Sequence, residues 1–373
     1  MTRMIGLRLL KLVPVLFLVS LATFFIIDLV PGDPAAAVLG PDAPPEQYEA
    51  VRTELGLDRS LPARYVEWIG DALTGDLGES LIKPGFTVTE LISLSLPVTL
   101  ELAMLGMFIA LVVSLPLAIW AAFREGTMVD RLLNGATSAL ISVPAFLAGL
   151  LLAYLFVFQR GVPRVLVLVV GSLVGVLALV SAARRRGDDL RSATVARAVF
   201  GLVVIAAAVA VFVWFPKFPR TGFVRLTSGE GLRENLRSAF LPALTISIAE
   251  IAVFTRLLRS DLITTLKEDF ILAAKAKGMP PWRIMWREAL RPSSFSLITL
   301  AGVATGRAIG GTVIVESIFG IQGVGRLVVN DGVLPGDYPI VQGGVLVIAV
   351  FYVLINLVVD VSYLYLDPRI RRG

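Results

Sequence analysis

The chain has 373 residues, of which 56% are hydrophobic and 17% charged, with a formal net charge of +5; a chain this apolar belongs in a membrane rather than among soluble domains. It has no cysteine, which excludes disulfides and thiolate metal sites and leaves the redox compartment open. It has no histidine, which excludes Ser-His and Cys-His nucleophile pairs, histidine proton relays and imidazole metal sites.

In chain order, segments near the ~20 apolar residues that span a bilayer fall at roughly 9–30, 97–122, 132–158, 163–183, 196–215, 239–259, 294–315 and 340–363, which predicts about eight helices in an all-α polytopic fold. The first lacks a small-residue cleavage site before Pro31-Gly32-Asp33-Pro34 and reads as a retained anchor. Arg3, Arg8 and Lys11 place the N-terminus in the cytoplasm, and eight crossings return Arg369, Arg371 and Arg372 to the same side. The loops at Arg124 and Arg131, at Arg184 to Arg191 and at Arg256 to Arg291 agree, whereas Lys217, Arg220, Arg225, Arg233 and Arg237 form a basic cluster on the outside. Residues 31–95 form the largest outside region, a small cap of short helices.

Between two apolar segments lies a basic island, Asp261 to Pro292. Leu262, Ile263, Leu266, Phe270 and Ile271 share roughly one helical face, with Lys267, Glu268 and Asp269 at its polar end. Ala273, Ala274 and Ala276 suit a tightly packed helix, Gly278 suits a left-handed cap, and Pro281 suits the first turn of a second short helix carrying Trp282, Ile284, Met285 and Trp286. Pro292 then marks the start of the next span. Composition alone also fits an amphipathic segment floating its tryptophans at the lipid interface.

The island resembles the cytoplasmic loop of ABC importer permeases, whose pattern is Glu-Ala-Ala, three residues, then Gly. Ala273, Ala274 and Gly278 keep that register, Leu272 stands in place of the Glu, and the ending has become Glu288-Ala289-Leu290-Arg291-Pro292. The chain is similar to the B-type permeases of dipeptide and oligopeptide importers in Gly75-Asp76-Leu77-Gly78-Glu79-Ser80, Pro97-Val98-Thr99-Leu100-Glu101, Ser142-Val143-Pro144-Ala145-Phe146, Val315-Glu316-Ser317-Ile318-Phe319, Gly323-Val324-Gly325-Arg326 and Asp337-Tyr338-Pro339. The likeness lapses between about Val162 and Arg233, where two extra apolar segments flank Arg184-Arg185-Arg186-Gly187-Asp188-Asp189.

The resemblance implies a type I ABC importer transmembrane domain of six family helices plus an inserted two-helix hairpin. The domain plan it suggests is an anchor at 1–30, an extracytoplasmic cap at 31–95, a permease domain at 96–366 with the insert at about 162–233 and a coupling loop at about 261–292, and a cytoplasmic tail at 367–373. It implies a multi-pass subunit of a prokaryotic cell membrane importing peptides, without catalytic residues, metal or bound cofactor, with ATP and Mg2+ on partner ATPases. The implied partners are a homologous C-type permease, two cytoplasmic ATPase subunits or domains, an extracytoplasmic substrate-binding protein and membrane lipid, with no nucleic acid. Glu268, Asp269, Ala273, Ala274, Lys275, Gly278, Arg283 and Arg287 would form the ATPase-coupling surface, the charged ones tuning contacts or meeting lipid headgroups.

Two charges, Glu250 and Arg307, fall mid-span, where each is costly; they pair with one another or line the pathway. Glu101 and Glu316 sit near the outside ends, where water satisfies them. Gly302, Gly306 and Gly310 form a row at spacing four that allows close helix packing. No phosphate-binding G-x-x-x-x-G-K-[ST] loop occurs, so ATP belongs to another chain. Nickel or glutathione is an alternative cargo for the same permease type. In a different class, an ion-coupled secondary transporter would use Glu250, Arg307 and Asp360. A hydrolase is disfavoured by the absence of His and of a G-x-S-x-G motif.

Overall fold

The computed structural model describes residues 2–29, 39, 44–54, 57–184 and 191–366. The Pro31-Gly32-Asp33-Pro34 motif, Gly56, residues Arg185 to Asp189, residues 367–373 and the side chain of Asp360 lie outside the described residues. The described chain is all-α: α1 (Thr2–Leu29), α2 (Pro45–Glu54), α3 (Leu61–Thr74), α4 (Val88–Phe123), α5 (Met128–Ser142), α6 (Ala145–Phe158), α7 (Gly161–Arg184), α8 (Arg191–Val213), α9 (Leu232–Thr265), α10 (Asp269–Ala276), α11 (Pro281–Phe319) and α12 (Tyr338–Leu366).

Among the described residues, five helices (α4, α7, α9, α11 and α12) are long and apolar enough to cross a membrane. The segment expected as one straight span at 132–158 is instead two helices, α5 and α6, bent by 101°. The cause is local: Val143 precedes Pro144 and is held in the extended region (φ −83, ψ 118), because the proline ring clashes with a helical conformation at the preceding residue. The remaining expected spans contribute shorter apolar stretches, Leu12–Phe25 in α1 and Arg197–Val213 in α8.

Two compact units emerge from the chain, residues 1–146 with 242–373 and residues 147–241. In the first, α4, α9 and α11 share a core of Met107, Ile119, Phe254, Leu258, Leu262, Leu297 and Ala304. At one end of this bundle α10 packs beneath the helix termini. At the other end α3, the N-termini of α4 and α12 and the segment after α11 meet around Leu77, Val88, Ile92, Leu327 and Ile340. Helix α4 starts at a full capping box, in which the Thr87 hydroxyl accepts from Glu90 N–H and the Glu90 carboxylate accepts from Thr87 N–H.

That second end is held by two buried carboxylates. Glu316, expected to be wet, is completely buried. Its Oε1 accepts from the Thr99 hydroxyl at 2.7 Å, its Oε2 accepts from Arg326 N–H at 2.9 Å, and Thr99 in turn accepts from Val324 N–H at 2.9 Å. The missing side chain of Gly325 makes this possible, since a Cβ there would lie 2.6 Å from Val313 Cα. Asp337 is also fully buried and accepts from the Ser80 hydroxyl and from Ile82 N–H at 3.2 Å. Five of the sequence motifs noted above therefore converge on two carboxylates that peg loops to helix ends.

The second unit contains the α7–α8 hairpin, with flanking chain on both sides, so it is wider than the 162–233 segment expected as an insertion. The hairpin is closed by small residues: Gly171 abuts Ala208, and Gly175 and Gly201 face one another so closely that a Cβ on either would lie 2.7 Å from the other's carbonyl oxygen. The Arg164 guanidinium lies 4.2 Å over the Phe212 ring and donates to the Phe212 carbonyl. Only 11% of the α7 apolar window is buried, so most of its surface is left for lipid.

Replacing Glu316 by Ala strands the Arg326 N–H and the Thr99 hydroxyl and is expected to cost about 2–5 kcal/mol of stability. Glu316→Gln, which keeps an acceptor, is expected to lose less. Thermal unfolding of the detergent-solubilised variants measures both, and equal losses for the two would show that hydrogen bonding by this side chain is not what holds the end.

Candidate functional site

Helix α10 has eight residues, too few to be stable in water by itself. It is held because Ile271 is fully buried and Ala274 nearly so, in one apolar cluster with Leu258 and Leu262 of α9, Ile284, Met285 and Ala289 of α11, and Ala118, Ile119 and Ala122 of α4. Its ends suit the helix dipole: Glu268 and Asp269 stand at the N-terminus and Lys275 in the last turn. The helix closes through Lys277 N–H to Ala273 O at 3.1 Å and Met279 N–H to Ala274 O at 3.2 Å. Gly278 has φ +74 and open space where a side chain would project, so glycine is required there by backbone conformation rather than by packing.

The segment differs from the expected pair of short helices. Pro281 opens α11 itself, which continues through Pro292 to Phe319. Pro292 has no N–H for the Glu288 carbonyl, and the preceding turn, Ile284–Ala289, is widened into a π-helical turn with Leu290 N–H reaching Met285 O. The Ser293 hydroxyl bonds the Ala289 carbonyl at 2.8 Å and the Thr265 hydroxyl at 2.9 Å, tying the foot of α9 to this turn. The surface left open carries Glu268, Asp269, Ala273, Lys275, Lys277, Arg283 and Arg287, together with Phe270, Leu272, Trp282 and Trp286. Ala273 and Ala274, adjacent in the motif, thus do different things: Ala274 seats the helix and Ala273 lies on its outer face.

An ion pair that sequence spacing does not reveal braces the same end. Arg259 donates to Asp130 through Nε at 2.6 Å and Nη2 at 2.7 Å, and the Asp130 side chain is only 6% exposed. Asp130 also accepts from Gly126 N–H at 3.0 Å and from Asn134 Nδ2 at 3.2 Å. The α4–α5 connection is thereby fixed to α9 a few residues before the 261–292 segment begins. An exposed pair, Lys267 with Glu125 at 3.2 Å, lies alongside and contributes little.

Within the membrane-length helices, Arg307 of α11 approaches Glu250 of α9 at 3.5 Å. The Arg307 side chain is 55% exposed and that of Glu250 18%, so the pair is a loose contact opening on the surface of the unit. The glycine row divides. Gly302 abuts Val359, a Cβ on Gly306 would lie only 3.2 Å from the Tyr352 ring, and both therefore set the approach of α12; Gly310 and Gly311 face nothing within 4 Å among the described residues.

These features define a polytopic helical membrane protein in which a short surface helix is keyed into the membrane-spanning core. Residues 176–372 match the model of the binding-protein-dependent transport system inner membrane component, and residues 1–103 match the N-terminal model of the same type of component. The chain belongs to this family of ABC transporter permeases. It is 32% identical, over 98% of its length and 97% of the relative's, to a probable peptide ABC transporter permease of Sinorhizobium fredii. It is 33% identical, over 95% and 93%, to a probable D,D-dipeptide transport system permease of Escherichia coli, and 31% identical, over 100% and 99%, to a di/tripeptide transport system permease of Pseudomonas aeruginosa.

Asp130→Ala leaves Arg259 uncompensated in a largely buried position and is expected to cost about 3–5 kcal/mol. The double variant Asp130→Ala with Arg259→Ala should lose less than the sum of the two singles. Unfolding midpoints of all four proteins check this, and strict additivity would mean that the two side chains do not support one another.

Proposed function

We propose that this chain is the transmembrane permease subunit of an ATP-driven importer of dipeptides and oligopeptides, forming half of the translocation pathway. The observation that carries the proposal is the seat of α10: a rigid helix with an exposed apolar and charged outer face, whose inner face is continuous with the packing of α4, α9 and α11. A push on such a helix moves three membrane helices together. The peptide permeases among its relatives support the cargo.

In this reading the coupling segment, 261–292, meets one of two cytoplasmic ATPases, which hold ATP and Mg2+, and the chain itself does no chemistry. A homologous C-type permease completes the pathway, and an extracytoplasmic binding protein delivers substrate. Both termini lie in the cytoplasm, the α10 end faces the ATPases and the Glu316 and Asp337 end faces the binding protein. Glu250 and Arg307 face the pathway or the second permease, because a half-exposed guanidinium on a membrane-length helix needs water or protein rather than lipid beside it.

Ala273→Trp, which enlarges the outer face of α10 without disturbing Ile271 or Ala274, is expected to leave insertion and permease pairing intact. Peptide uptake by the system reconstituted with both permeases, both ATPases and the binding protein should fall roughly 5- to 150-fold, the range of ordinary coupling energies. Undiminished uptake, or uptake of nickel or glutathione in place of peptide, would count against the assignment. Reversing Glu250 or Arg307 alone places like charges together in a span, where each charge costs ~2.5–3.5 kcal/mol on the insertion scale. Glu250→Arg and Arg307→Glu are each expected to depress yield and uptake, and the double variant to recover part of both; a double variant no better than the singles shows that the two side chains do not act as a pair.

A further inference from the structure

A cavity lined by cations lies within the second unit, between the end of α8 and the first turns of α9. Helix α8 ends at Val213, and the chain then turns through Trp214, Phe215 and Phe218 before returning along the first turns of α9. Phe218 stacks on Phe240 with centroids 5.6 Å apart at 16°, and Phe215 on Phe156 at 5.9 Å and 23°. Phe215, Phe218 and Phe240 help to wall a cavity of about 790 Å3, whose polar lining includes Lys217, Arg233 and Arg237.

The three cations are not equivalent. Arg237 is committed: it pairs with Glu234 at 3.0 Å and donates through Nε to the Lys217 carbonyl. Neither Lys217 nor Arg233 has a hydrogen-bonding or ion-pairing partner for its side chain among the described residues. Two uncompensated cations facing one cavity repel each other and are stabilised by an anion between them. The volume lies within the range of ordinary ligand sites and far exceeds what a bare phosphate occupies. The walls are aromatic, and Trp214, 83% exposed, sits one residue beyond the last apolar turn of α8, the place where tryptophan marks the level of lipid headgroups. In the orientation proposed above this is the outer side, where short loops usually carry few Lys and Arg. A bound anion explains why this one retains them.

We propose that the cavity holds the headgroup and upper acyl chain of an anionic phospholipid. The phosphodiester oxygens accept from the Lys217 ammonium and the Arg233 guanidinium, and the stacked Phe218 and Phe240 rings flank the chain. Such a lipid would fasten the α7–α8 hairpin to the adjoining leaflet. Only the leaflet depends on the proposed orientation; the binding chemistry does not.

Native mass spectrometry of the full-length protein, purified in detergent and offered equal amounts of phosphatidylglycerol and phosphatidylcholine, tests this. The wild type should retain phosphatidylglycerol preferentially. Lys217→Gln and Arg233→Gln should each weaken retention about fivefold, as expected for one cation near a headgroup, and together remove the preference. The charge-conserving Lys217→Arg with Arg233→Lys should keep it. Should the neutralised double variant fail to assemble, the two singles give the same reading, since both positions are exposed. Equal retention of phosphatidylcholine, or undiminished phosphatidylglycerol in the neutralised variants, overturns the proposal. So does displacement by glycerol phosphate as readily as by dioctanoyl phosphatidylglycerol, which would make this a free phosphate site, or preferential displacement by a peptide carboxylate, which would make it a cargo site.

Discussion

A membrane leaves a polar group no solvent to fall back on, so each buried charge must be satisfied from within the chain. Asp130 and Glu316 meet this demand through both carboxylate oxygens at the ends of the first unit and Asp337 through Oδ2 alone, and in doing so each pins a connection to a helix that is remote in sequence. Asp130 joins the α4–α5 turn to Arg259, Glu316 joins the segment after α11 to Thr99 of α4, and Asp337 joins the chain before α4 to the start of α12. The carboxylates act as rivets, and the apolar faces between them need only pack.

Rivets at the ends change what the helices are able to do. Between lipid-exposed helices there is little hydrophobic driving force, so the arrangement of the middle depends on close packing such as Gly302 and Gly306 against α12. Helices α9 and α11 run from the braced α10 end through the Glu250 and Arg307 level, and α11 continues to Glu316. With their termini fixed to loops and to one another, displacement of α10 is more readily taken up as rigid-body movement of the group than as bending of single helices.

Much of this was legible from the residues. Apolar length located most of the membrane-length helices, and the register of Ala273, Ala274 and Gly278 singled out the segment for which a coupling role is proposed, within a chain whose motifs matched on either side. What the linear pattern hid were partners far apart in sequence. Glu316 looked wet because it falls near a helix end, and the hydroxyl that buries it belongs to Thr99, 217 positions away. Asp130 and Arg259 are 129 positions apart, and neither stands out where charged residues are plentiful. Hydropathy likewise cannot separate one span from two half-length helices; the 101° bend depends on the conformation forced on a single residue, Val143, by Pro144. Proline misled in the opposite sense at Pro292, which looked like a boundary and is absorbed by one widened turn inside a continuous helix.

That continuity bears directly on coupling. Had the segment been two short helices joined by flexible turns to the spans, a force on α10 would dissipate in the second connection. Instead Trp282 and Trp286 stand on the same helix as Arg307 and Glu316, and Ser293 clamps its π turn to the foot of α9. The one hinge-like element left in the path is the left-handed Gly278 between α10 and α11, while Ile271 and Ala274 before that hinge, and Ile284 and Met285 after it, hold both sides to the core. The proposed coupling segment is therefore better described as the lower end of α11, folded back once on itself, than as a loop between two spans.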